Sequence, residues 1–389
     1  MDFAENMKRS MVNCMHEVIL IADDKMLPIV LPIINQNVCI NAIISFKHFS
    51  DLHIQEKYTV YTYDCLSEVI ENTSYDFILL MSGFWDFDEE IIRELRNKGV
   101  RKEKIVPLFP LLSEERMNII SILQHYFSQE TAYDVFATGM SYAHCGILEQ
   151  KFQGRLLNFT ASSNDLFVDY EMAKLIYKKE QSNFHYALIG LAPYSFHYDL
   201  SLSSLGSLSI FYDFICQSMH NYAISQEEIT ALLNREAVLN IYKNLGIDLQ
   251  FHKQYMERFM MRQRASFGIK DRIHARSRAS QWNGKFYPAT LRENKKIFED
   301  YLQLCIQHNC KPIIIAFPFT ETYMKYFDQR ILAGFYMVIN EMAKKYDFLF
   351  LDYMNHPDFT DADFHNVDHL NLAGAEKLTD LIRNELHRL

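Results

Sequence analysis

Short apolar runs separated by amphipathic helical windows recur along this chain, and that alternation limits its fold more than any other feature. Glu17 to Ala22, Ile40 to Ser45 and Phe77 to Met81 read as buried strands. Asp86 to Lys98 reads as a helix whose first turn, with Asp86, Asp88, Glu89 and Glu90, complements the helix dipole; Gly99 ends it. Pro107 and Pro110 mark a boundary, after which Ser113 is placed to cap a helix carrying Met117, Ile120, Leu123 and Phe127 on one face. Beyond it the strands are Tyr133 to Ala137, Leu156 to Thr160, Tyr186 to Leu191, Pro312 to Phe317 and Phe348 to Leu351. The helical windows between and after them are Asp165 to Lys179, Ser207 to Asn221, Gln226 to Asn244, Thr290 to Gln307, Ile331 to Tyr346 and Ala373 to Leu386. Such alternation calls for parallel sheets covered by helices, an α/β fold. It divides the chain into a small domain over 1–110, a linking helix over 111–130 and a larger α/β domain over 131–389.

A length of 389 residues suits two or three domains of this kind. Thirty-nine Lys and Arg against 49 Asp and Glu leave a net charge of -10, which argues against a nucleic-acid partner bound by phosphate neutralisation. The seven cysteines are odd in number, irregularly spaced and without a CxxC, so idle thiols are expected rather than a disulfide framework or zinc ribbon. Met1 to Cys14 lacks the shape of a signal peptide, and the apolar window Met26 to Phe46 contains Pro28, Pro32, Asn35, Gln36, Asn37 and Asn41, too many breaks for a membrane span. The expectation is a soluble cytoplasmic protein.

Five places bear on chemistry. The turn after the first strand is Asp23-Asp24-Lys25; without glycine and with two negative charges it suits a scaffold or partner-binding role better than a dinucleotide site, and no cofactor is expected. In Ala137-Thr-Gly-Met-Ser-Tyr-Ala-His-Cys-Gly-Ile147, a turn of small residues follows a strand and enters a helix. A serine there, Ser141, sits at the carboxyl edge of a sheet beside orphan helix amides; the plainer alternative is that it only caps the helix. Cys145, one turn on, is read as packing rather than attacking, and His144 points elsewhere. Before the last helix lies Asp361-Ala-Asp-Phe-His-Asn-Val-Asp-His-Leu-Asn-Leu-Ala-Gly374, which is a solvated turn, a metal-ligating loop or the histidine and acid that a serine nucleophile needs. The run holding Arg262, Arg264, Lys270, Arg272, Arg276 and Arg278 is either a solvated excursion or a rim for an anionic glycan or a phosphate-bearing acyl donor. Tyr194 to Tyr198 serves either as core or as a stacking surface for sugar.

Residues Tyr75 to Leu108 loosely resemble the closing half of small Rossmann-like domains in bacterial sugar-modifying proteins. The pairing of Gly139-Met-Ser141 with the late Asn366-Val-Asp-His-Leu-Asn-Leu-Ala-Gly-Ala375, preceded by Phe348-Leu-Phe-Leu-Asp352, resembles the SGNH/GDSL hydrolase superfamily. The likeness is nearest to SGNH-like proteins linked to bacterial surface-polysaccharide acylation and spans about the last two-thirds of the chain. It implies a three-layer αβα domain with a parallel sheet. It further implies Ser141 as nucleophile, His369 as general base and Asp368 or Asn366 as orienting group. The family's glycine and asparagine oxyanion donors are not matched: the chain has Ala161-Ser162-Ser163-Asn164 and Gly190-Leu-Ala-Pro-Tyr-Ser195, so the amides of Ser141 and Ser162, with the Asn164 side chain, would take that role. Tyr194 and Arg276 are the substrate-contact candidates. The expected activity is hydrolysis or transfer of a small acyl group, such as acetyl, on a carbohydrate or a nucleotide- or lipid-linked glycan precursor. An acyl donor is the second partner in a transferase. The competing reading is a binding or scaffold protein that keeps the fold without the chemistry.

Overall fold

The computed structural model describes residues 15–46, 52–83, 85–128, 132–180, 182–203, 206–216, 220, 226–244, 269–284 and 287–389. Met1 to Cys14, and Arg262 and Arg264 of the arginine run, lie outside them. The chain forms two compact units: Met1–Met117 with Gly206–Gly246, and Asn118–Leu205 with Ile247–Leu389.

The first unit is built on strands β1 (His16–Ala22), β2 (Val38–Ser45), β3 (Val60–Thr62), β4 (Phe77–Met81) and β5 (Ile105–Pro107), ordered β3-β2-β1-β4-β5 and all parallel. Central β1 is a continuous apolar run because a strand flanked on both edges and covered on both faces has no solvent side; Val18 to Ala22 are fully buried. Helices α1 (Leu66–Asn72) and α2 (Trp85–Asn97) bring Leu66, Val69, Ile91 and Leu95 onto Ile19, Ile21, Ile44, Ile78 and Leu80. Each such side chain removed from water contributes roughly 1.5–3 kcal/mol. The three-residue strands β3 and β5 are too short to show a period and escape sequence reading.

The segment 206–246 packs with this unit, whereas the sequence reading places it in the second domain. It holds α6 (Ser209–Cys216), α7 (Gln226–Leu232) and α8 (Arg235–Asn244). The Asn35 amide donates to the carbonyls of Thr230 and Ala231 at 2.7 and 2.8 Å, the Asn234 N–H donates to Ile33 at 2.8 Å, and Ile34 and Leu233 form an isolated antiparallel bridge. These long-range bonds leave no trace in local periodicity. The single helix read over Gln226 to Asn244 breaks at Leu233, and Asn234 accepts the Ala237 N–H at 3.1 Å as the second piece begins.

Helix α3 (Glu114–Ser128) takes the place of the expected linking helix, and the division between the units falls within it. Its buried stripe is Ile119, Ile120, Leu123 and Tyr126; Phe127, read as inward, is exposed. The second unit carries β6 (Val135–Gly139), β7 (Leu156–Asn158), β8 (Tyr186–Leu191), β9 (Lys311–Ala316) and β10 (Leu349–Asp352), again all parallel, in the order β10-β9-β8-β6-β7. Its principal helices are α4 (Ser141–Gly146), α5 (Leu166–Ile176), α9 (Ile269–Asn283), α10 (Pro288–Gln307), α11 (Gln329–Ala343) and α12 (Leu372–Leu386). From β6 the chain runs outward to β7 and then back to β8 on the other side, so the order reverses beside the end of β6. In open α/β sheets a crevice opens at that point.

Among the described residues no helix is long and apolar enough to cross a membrane. Met26 to Phe46 instead forms a turn of helix and β2. Cys65, Cys145, Cys216, Cys305 and Cys310 are not in disulfides, but Cys39 is disulfide-bonded, contrary to the expectation of idle thiols throughout.

Candidate active site

Ser141 opens α4 directly beyond β6. Gly139, with φ +137, makes the turn: a Cβ there would come within 2.8 Å of Ala143 Cβ and 3.0 Å of Gly190 Cα, so only glycine lets the serine helix press against β6 and β8. Both backbone groups of Gly139 are held. Its N–H donates to the buried Asp169 carboxyl of α5 at 3.1 Å, and its carbonyl accepts the Ala161 N–H at 3.1 Å. The second bond continues the β6–β7 pairing and brings the Ser162–Asn164 turn alongside the serine turn. Burial, reinforced by neighbouring Asp165, pushes the Asp169 carboxyl well above the usual range. Asp169 escaped sequence reading because it lies in a helix, thirty residues from the glycine it bonds.

The late loop owes its shape to two asparagines and one glycine. Asn371 caps α12 by accepting the Gly374 N–H at 3.0 Å, and its amide donates to Ala362 at 2.7 Å. A Cβ on Gly374 would stand 2.2 Å from the Asp363 carbonyl, so the loop crosses α12 only over a glycine. Asn366 Oδ1 accepts the backbone N–H groups of Asp368 at 3.1 Å and His369 at 2.8 Å. This tight turn brings the adjacent side chains of Asp368 and His369 to one side.

Ser141 Oγ lies 2.9 Å from His369 Nε2. His369 Nδ1 lies 3.1 Å from Asp368 Oδ1 and 3.1 Å from Asn366 Oδ1. Both oxygens are acceptors, the amide oxygen being oriented by the two N–H groups it already receives. The imidazole proton therefore sits on Nδ1, and Nε2 is left to accept from the serine hydroxyl. Two residues the resemblance offered as alternatives thus both face one nitrogen, and only Asp368 brings charge. Burial opposes that charge, but His369 and Arg278 outweigh it and hold the Asp368 carboxyl well below the usual carboxylate range. Asp368 Oδ2 accepts from Arg278 Nε at 2.9 Å and from the Tyr142 hydroxyl at 3.1 Å. Burial, with Tyr194 and Asp368 nearby, pushes the Tyr142 phenol well above its ordinary value, so it stays a donor.

The remaining candidates fall elsewhere. Tyr194 is buried, stacked at 3.8 Å on Trp282 and hydrogen-bonded to the Tyr142 hydroxyl at 3.1 Å, so it buttresses the site and offers no face to a sugar. Phe196 and Tyr198 are also core. Arg276 is exposed on α9, two residues and about half a helical turn from Arg278, which faces inward. The useful arginine was one of a run of six basic residues, and no local signal separates it from the others. Asn164 is buried; its Nδ2 lies 3.5 Å from the Phe159 carbonyl and its side chain also bonds the Asp169 carboxyl. Ser162, half-buried, occupies the turn beside Ser141. His144 bonds the Thr160 carbonyl through Nδ1 at 2.9 Å, and Cys145 is buried. Asp363 closes a capping box with Thr360 and pairs with Lys377 at 2.8 Å, a structural use of an acid that the metal reading had enlisted.

In comparisons with known proteins, the chain matches no family model and no curated protein.

Proposed function

We propose that the second unit is a serine acyl-ester hydrolase or O-acyltransferase of the SGNH/GDSL type, acting on an acylated carbohydrate or glycan precursor. The observation that carries this reading is the unbroken chain Ser141 Oγ–His369 Nε2 and His369 Nδ1–Asp368 Oδ1, assembled from segments 228 residues apart at the point where the strand order reverses. Ser141 Oγ attacks the acyl carbonyl carbon while its proton passes to His369 Nε2. The developing oxyanion is met by backbone amides, and the candidates are those of Ser141 itself and of Ser162, whose turn the Ala161–Gly139 bond brings beside it. The imidazolium, stabilised by Asp368, returns the proton to the departing sugar oxygen. The resulting acyl-serine is then opened by water or by a second hydroxyl that His369 deprotonates.

Acetate release from peracetylated monosaccharides and from 4-nitrophenyl acetate tests the reading. Hydrolysis by the wild type at a rate at least ~100-fold above Ser141→Ala supports it, and equal rates refute it.

A further inference from the structure

We propose that Arg278 is a positioning residue that grips the Asp368 carboxylate and, through it, makes His369 a weaker base than an undivided Asp–His pair would. The role of His369 as the base rests on the function proposed above; the geometry linking the three side chains does not.

One face of α9 carries Ala275, Arg278, Ala279 and Trp282, with both alanines fully buried. Arg278 Nε lies 2.9 Å from Asp368 Oδ2, and the carboxylate is wholly enclosed while the arginine side chain keeps 31% of its exposure. Asp368 Oδ1 meets His369 Nδ1 at 3.1 Å. One buried carboxylate therefore faces two cations whenever His369 is protonated, and the second proton enters against the field of a fixed guanidinium. In a site with little water that repulsion is weakly screened. Among the described residues, the groups facing His369 are Ser141 and Tyr142 on α4, Asn366 and Asp368 on its own loop, and, through Asp368 and Tyr142, Arg278 on α9, Tyr194 and Tyr323. The three tyrosine hydroxyls are pushed by burial far above neutrality, which leaves Asp368 and Arg278 as the charged members of the set. Helix α9 has two further anchors that do not depend on Arg278. Trp282 stacks on Tyr194 at 3.8 Å, and Asn283 bonds Tyr326 and Asp328, both at 2.7 Å.

The test is an NMR titration of the His369 imidazole, identified by its loss in His369→Gln, in the wild type, Arg278→Gln and Arg278→Lys. Removing the charge raises the pKa of His369 by about one unit, whereas lysine, which keeps it, leaves the value within about 0.3 units of wild type. An unchanged or lowered value in Arg278→Gln overturns the proposal, as does an equal rise in both variants, which would assign the effect to shape rather than charge. If Arg278→Gln fails to fold, Arg278→Met supplies the same comparison, and if both neutral variants fail while lysine folds, Arg278 is a structural residue and the proposal falls. A titration that behaves as stated in a protein without ester-cleaving activity would sink the proposed function and leave the Arg–Asp–His coupling standing.

Discussion

After β1 the chain turns through Asp23, Asp24 and Lys25; after β6 it turns through Gly139, Met140 and Ser141. Both strands are paired on both sides within five-stranded parallel sheets, and both turns lie at a carboxyl edge. In the first, the acid closes the turn on itself: Asp23 Oδ1 accepts the Lys25 N–H at 3.0 Å and its carbonyl accepts those of Met26 and Leu27. In the second, groups outside the turn hold Gly139 on both sides, and the serine hydroxyl is left for a histidine from the far end of the chain. Like scaffolds thus end in one turn whose acid is used on its own backbone and in another whose serine hydroxyl meets a histidine from a distant segment. The difference lies in one glycine and in what the rest of the sheet brings to it.

The sharpest way to break this contrast is at the second turn. Ser141→Ala and His369→Ala should each lower ester turnover by ~10⁴-fold or more, and together by little more than either alone, because the two act as one unit. Steady-state rates of the two single variants and the double variant check this; additive losses would mean they do not share a step. Next, Asp368→Ala should cost ~100-fold or more in turnover, while Asn366→Ala, which keeps the charge on Asp368, should cost under ~10-fold and chiefly lower thermal stability through the lost loop bonds. The reverse ranking in kcat would make the amide the true orienting group.

A smaller effect bears on how the serine turn is held. Asp169 is raised by burial, so the folded protein keeps a proton that the unfolded chain has released above the ordinary carboxylate range. Wild-type stability therefore falls as pH rises beyond that range. Asp169→Asn, which still offers Gly139 an oxygen, should gain roughly 2–4 °C in Tm relative to wild type between pH 4 and pH 7 in thermal melts. A constant difference across that interval would show that the carboxyl titrates normally. The smallest effect belongs to the first turn. Calorimetry with NAD or a nucleotide-sugar should show no micromolar binding that weakens on Asp23→Ala or Asp24→Ala, since two carboxylates repel a pyrophosphate and no glycine admits it.

How far the sequence carried the reading follows from the range of each signal. The strands Val18–Ala22 and Tyr186–Leu191 were legible because burial on both faces writes continuous apolar runs. The pairing of Ser141 with His369 was legible only through the resemblance carried by Gly139-Met-Ser141 and Asn366 to Ala375; the structure gives those residues physical roles, Gly139 and Gly374 at close backbone approaches and Asn366 and Asn371 at a turn and a cap. Arg278, Asp169 and Trp282 were not, since each acts through a contact with a distant segment and sits in an ordinary helical pattern. The allegiance of 206–246 to the first unit was illegible for the same reason: Asn35 and Asn234 make the connection, and neither belongs to a periodic pattern. Tyr194 misled because an aromatic cluster after a strand reads alike as core or as sugar platform, and its stack on Trp282 decides for core.

The central claim is that Ser141 is an activated nucleophile. Incubation of the full chain with a fluorophosphonate, followed by peptide mass mapping, tests it most directly. The account predicts one adduct, on Ser141, that disappears in His369→Ala and forms at least ~10-fold more slowly in Asp368→Ala. No adduct on the folded wild type, or one on Ser141 that persists undiminished without His369, would contradict it.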